Sequence, residues 1–141
     1  MRGASLTALL LLAGPVAAEV TVTDAWVRGT VPSQTTTGAF LTITSTEDAK
    51  LVGVSTPIAG VAEIHKTENH GGMMHMAEVK TIDLPAHRAV PLQPGGYHVM
   101  LMSVKGPVKA GSKVPLKLVI EDAKGKRTTV AVEASVKPLG E

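Results

Sequence analysis

The chain has 141 residues, enough for one compact domain with a sizeable core and no more. It contains no cysteine, which excludes disulfides, thiol nucleophiles, Fe–S clusters, thiolate zinc sites and the cysteine-bound blue-copper centre. A formal charge of +2, with one Trp, one Tyr and one Phe, gives no basic field and no stacking platform to suggest nucleic acid as a partner.

Residues 1–18 read as a secretory signal peptide. Arg2 supplies the positive start, Leu6 to Ala13 the apolar stretch, Gly14-Pro15 the helix break and Val16-Ala-Ala18 the small residues of a cut site, with cleavage expected after Ala18. The apolar run is too short for a bilayer, which needs about 20 residues. Its removal takes Arg2 and leaves 13 basic against 12 acidic residues. Residues 19–141 are expected to form a single exported domain, monomeric and not inserted in a membrane.

From Val20 onward the pattern is all-β, with period-two alternation, β-branched enrichment and regular Gly/Pro punctuation. Strands are expected around Val20 to Arg28, Gly38 to Thr44, Leu51 to Val54, Val61 to His65, Met74 to Val79, His98 to Val104, Val114 to Glu121 and Thr128 to Val136. Lys66 to Gly72 reads as a polar loop, and Pro94-Gly-Gly96 and Lys105-Gly-Pro107 as turns. Many short strands in this length imply an antiparallel sandwich or barrel. Pro115 inside an apolar run implies an edge strand or a bulge, because proline cannot donate to a ladder. Trp26 is expected in the core.

The chemistry-bearing residues are clustered. Apart from Met1, every methionine falls in one of two segments, Met73, Met74 and Met76, then Met100 and Met102; His65, His70, His75 and His98 lie in or beside the same segments. Methionines used only for packing would be spread along all the strands. Thioether sulfur is a soft neutral donor suited to Cu(I), and neutral imidazole adds affinity near pH 7. In an oxidising compartment this donor set avoids the oxidation to which a thiolate is prone. Strand periodicity puts His98 and Met100 on one face, and Met74 and Met76 on one face. A hairpin would bring His65 near Met74 or Met76.

These segments resemble the PCuAC family of periplasmic copper chaperones. That family's motif is His, ten residues, Met, twenty-one residues, His, one residue, Met, and His65, Met76, His98 and Met100 match every spacing. Asp24-Ala-Trp-Val-Arg28, Ala62-Glu-Ile-His65, Leu92-Gln-Pro-Gly-Gly-Tyr-His-Val-Met-Leu-Met102 and Val114-Pro-Leu-Lys-Leu118 are also similar to the family. The resemblance implies a cupredoxin-like, Greek-key β-sandwich that binds one Cu(I) through these four side chains at an exposed site. It also implies delivery to another protein, such as the copper A centre of cytochrome c oxidase or its assembly factors.

Met73, Met74, His70 and His75 go beyond the motif and are candidate auxiliary donors, the histidines for Cu(II). Met102 is read as wall or core, His87 as surface, and Tyr97 as turn packing or support for His98. Asp24, Glu63 and Glu68 read as solvated, with no paired carboxylate or nucleophile beside them, so the chain is not read as an enzyme. Copper storage through the extra His and Met residues, or a copper redox role, are the competing functions.

Overall fold

The computed structural model describes residues 18–139. The signal peptide expected over residues 1–18 therefore lies, apart from Ala18, outside the described residues. Ten strands follow in chain order: β1 (Val20–Arg28), β2 (Thr36–Ser45), β3 (Ala49–Ser55), β4 (Ala59–His70), β5 (Met73–Glu78), β6 (Ile82–Leu84), β7 (Ala89–Leu92), β8 (Tyr97–Val104), β9 (Lys113–Asp122) and β10 (Arg127–Lys137). Their hydrogen-bonded order is β5-β4-β8-β2-β1-β10-β9-β3-β6, with β7 on β2. The architecture is the all-β, cupredoxin-like sandwich expected from the sequence. Among pairs of these strands one is parallel, β1 against β10 at Trp26–Arg28, so the sheet is mixed.

The core follows from alternation. In β9, Val114, Leu116, Leu118 and Ile120 are buried while Lys113, Pro115 and Lys117 are exposed. They join Leu41 and Ile43 of β2, Leu51 of β3, Ile64 of β4 and Val99 and Leu101 of β8 in one apolar cluster. Burial of this face supplies most of the driving force, on the order of 1.5–3 kcal/mol for each large aliphatic side chain. Pro115 lies on an interior strand, not on an edge. It is tolerated because β3 ends at Ser55 opposite Lys117, leaving β9 with one neighbour at Pro115.

Trp26 departs from the sequence expectation. Val20 and Val22 pack against the core, and strict alternation would send Trp26 the same way. A bulge between Thr23 and Trp26, with Asp24 at φ 55°, inserts one residue and reverses the faces. Val27 is consequently buried in the core, and Trp26 lies half-buried on the outer face opposite Phe40.

The expected loop at Lys66 to Gly72 is also mostly strand. β4 runs on to His70 and pairs with β5 in continuous register from His65↔Glu78 to His70↔Met73. The connection is Gly71-Gly72 alone, both at positive φ (61° and 87°), as a two-residue hairpin turn requires. All six residues of β5 are exposed, so the tip of this ribbon projects beyond the core.

Candidate metal centre

Register places the site. His65 of β4 lies opposite His98 of β8, and Glu63 lies opposite Met100. On the other side of β4, Met76 of β5 lies opposite Thr67 and Met74 opposite Asn69. Alternate residues share a face, so Glu63, His65, Thr67, Met74, Met76, His98 and Met100 all project from one surface of the three strands. Met76 is diagonal to His65, a spacing across which long side chains meet. Met76, His98 and Met100 line one open depression of about 270 Å³, whose wall includes Arg28, Gly38, Phe40 and Thr67. The rings of His65 and His98 are 5.8 Å apart.

The two histidines differ in how they are held. His98 is 5% exposed. Its Nδ1–H donates to the Gly96 carbonyl at 3.2 Å, so in the neutral ring the free lone pair is on Nε2. That same carbonyl accepts the Thr67 backbone N–H, tying the Gln93–Gly96 turn to β4. Burial lowers the His98 pKa below 6.5, outweighing the opposite pull of the Gly96 bond; His65 and Arg28 lower it further. His98 is therefore kept neutral, the form that binds a metal.

His65 Nε2 lies 3.0 Å from Glu63 Oε1. A carboxylate accepts, so Nε2 carries the proton and the neutral ring has its lone pair on Nδ1. That Nδ1 is buried and has no hydrogen-bond partner. A buried imidazole nitrogen without a partner is unusual, and on a strand face that also carries Met76 and Met100 it is a candidate donor for a soft ion. The pair has the carboxylate–histidine form that orients metal ligands.

Sequence reasoning missed the supports of this site. Glu63, read as solvated, is the hydrogen-bond partner of His65; its place two residues earlier on the same strand was the available signal. Phe40 stacks on Trp26 with centroids 4.4 Å apart and stands 6.3 Å from His98. The Arg28 guanidinium lies 5.2 Å from the Phe40 ring and 5.6 Å from the Trp26 ring.

The auxiliary candidates separate by face. Met74 shares the face of His65, whereas His70, Met73 and His75 project from the opposite face of the ribbon. Met102 shares the face of Met100, one step further from His98. His87 is exposed in a turn with φ 61°. Tyr97 is on the face opposite His98, under the Lys66 ammonium at 5.4 Å, and so packs rather than supports the imidazole.

A family described as "Putative lipoprotein LpqE-like" matches residues 20–134. A "Putative lipoprotein" of Leifsonia xyli subsp. xyli (strain CTCB07) is 33% identical over 120 residues, covering 84% of this chain and 71% of the relative. The solution structure of apo-DR1885 from Deinococcus radiodurans is 36% identical, with TM-score 0.63 over 100% of this chain and 96% of that one. The CuI-DR1885 solution structure matches at 36% identity and TM-score 0.55, covering 80% and 74%. The apo PCuAC domain from PmoF1 shares the fold, at 24% identity and TM-score 0.68 over 84% and 93%. With the family match spanning residues 20–134, the chain belongs to the LpqE-like family, and it has the fold of the PCuAC domains that its sequence resembles.

Proposed function

We propose that this protein is an exported copper carrier. It holds one Cu(I) with His65, Met76, His98 and Met100 and passes it to a copper-accepting protein. The observation that supports this reading most is that two imidazoles and two thioethers share one face of β4, β5 and β8, with Met76, His98 and Met100 lining one depression. The likeness to the CuI-DR1885 solution structure supports the same metal. The lipoprotein names of the relatives fit export.

The exposure gradient suits release by ligand exchange. Met76 is 60% exposed at the rim, while His98 is buried at the floor. An incoming donor displaces the Met76 thioether first and His98 last, so the ion always has partners on one side or the other. Neutral ligands make each exchange cheap compared with a thiolate. The copper A centre of cytochrome c oxidase, or an assembly factor serving it, is the recipient class to which this reading points.

The test is a Cu(I) titration against a competing chelator, with X-ray absorption to count sulfur and nitrogen neighbours. Met76→Ala and His98→Ala should each weaken Cu(I) by about tenfold or more while the fold is retained. Wild-type affinity in both variants would remove the proposal.

A further inference from the structure

The hairpin that carries Met76 has a second donor cluster on its other side. Glu68, His70, Met73 and His75 alternate with the residues of the first site and so share the opposite face. Glu68 lies directly across from His75, and His70 across from Met73. The His70 and His75 rings stand edge to face with centroids 5.3 Å apart, and His70 Nε2 lies 3.1 Å from Glu68 Oε1. We propose that this face binds a divalent transition ion, Cu(II), through His70, His75 and Glu68, independently of the Cu(I) site.

Distance and donor type both favour the assignment. Two imidazoles bound cis at about 2.0 Å per nitrogen hold their centroids roughly 4.5–5 Å apart, so 5.3 Å closes with a small side-chain rotation. Among the described residues no three His, Asp or Glu side chains already converge on one point. Here His70 and Glu68 face each other through a proton, and the ion enters by replacing that proton. Two imidazoles and a carboxylate form a nitrogen–oxygen set, which suits Cu(II) and places it above the other divalent first-row ions. This contrasts with the thioether-rich opposite face, which suits Cu(I).

The Lys66 ammonium lies over Tyr97 and pairs with Glu68 through Oε2 at 3.8 Å, which leaves Oε1 as the oxygen that faces His70. Met73, exposed beside His70, is a spare soft donor on this face. The ribbon backbone separates the two clusters, so neither ion needs a ligand of the other. A pair of ions of different oxidation state on the two faces is what this arrangement allows, not a store of many.

The test is a Cu(II) titration of the full chain followed by electron paramagnetic resonance, alongside the Cu(I) chelator competition. In the wild type, Cu(II) should show splitting from nitrogen ligands. The H70A/H75A double variant should weaken Cu(II) by about tenfold or more and leave Cu(I) affinity unchanged. M76A/H98A should do the reverse, losing Cu(I) while keeping the Cu(II) signal. The proposal is overturned if H70A/H75A binds Cu(II) as the wild type does, or if M76A/H98A abolishes the Cu(II) signal. Loss of Cu(I) alone in M76A/H98A leaves both proposals standing. Failure of Cu(I) binding in the wild type sinks only the carrier reading.

Discussion

Replacing Gly38 by alanine tests the wall of the His98 pocket. Gly38 sits in β2 opposite Met100, with no positive φ to strain a side chain. A Cβ there would lie 2.9 Å from Phe40 Cζ, closer than real contacts allow, and a tight 3.2 Å from Cε2. The phenyl ring cannot swing aside freely, since it is buried, stacked on Trp26 and covered by Arg28. Overpacking of this kind costs about 1–3 kcal/mol, against a gain of about 0.4–1 kcal/mol from stiffening the unfolded chain. The net loss of roughly 1–2 kcal/mol should lower the melting temperature by about 3–10 °C for a domain of this size. Thermal melts would measure it, with fluorescence of Trp26, the single tryptophan, reporting the displaced ring. In a Phe40→Leu background the same substitution should be neutral or mildly stabilising, because the clash has gone. Equal losses in both backgrounds, or a melt of G38A at the wild-type temperature, would refute the assignment of Phe40 as the obstacle.

Glu63→Ala should weaken Cu(I) by about 10–100-fold without touching a ligand, through loss of the partner that orients His65; unchanged affinity in the chelator competition would mean the carboxylate is a bystander. The His98 pKa, lowered by burial, sets a pH dependence. A group whose folded pKa lies below its unfolded value contributes stability that is full above the unfolded pKa of 6.5 and is lost as the pH falls through the folded one. Melts of metal-free wild type and His98→Asn between pH 7.5 and roughly 4.5 should therefore converge as acidity rises; parallel curves would contradict it. The M76A/A77M exchange keeps composition and moves the thioether to the other face of the ribbon. It should bind Cu(I) as weakly as Met76→Ala, and wild-type affinity would show that facing does not matter.

Strand content was legible where one face of a strand is buried. Val114, Leu116, Leu118 and Ile120 alternate with exposed residues because a half-buried strand requires it. The extension of β4 through Lys66-Thr-Glu-Asn-His70 was not legible for the converse reason. The ribbon projects past the core, both its faces meet water at the tip, and no apolar period marks it. The one local signal was Gly71-Gly72, a dipeptide that favours a two-residue hairpin. Trp26 was misplaced because a single bulge at Asp24 inverts every side chain after it, and nothing in Thr23-Asp-Ala-Trp26 announces the extra residue. The parallel β1–β10 pairing joins the two ends of the described chain, a separation that local patterns do not reach.

For the site, the i, i+2 pair His98 and Met100 could be read directly, while the choice between Met74 and Met76 could not. It depends on how far β4 continues and where the chain turns. With the turn at Gly71-Gly72, Met76 falls opposite Thr67, beside His65, and Met74 falls one step further out, opposite Asn69. The same register sends His70 and His75 to the far side. A ribbon whose period is two thus sorts one compositionally mixed run, Asn69-His-Gly-Gly-Met-Met-His-Met76, into a sulfur-rich face and an imidazole-rich face. The sorting needs no core packing. It rests on a turn with positive φ at both positions, so the set of side chains on each face is fixed by backbone geometry.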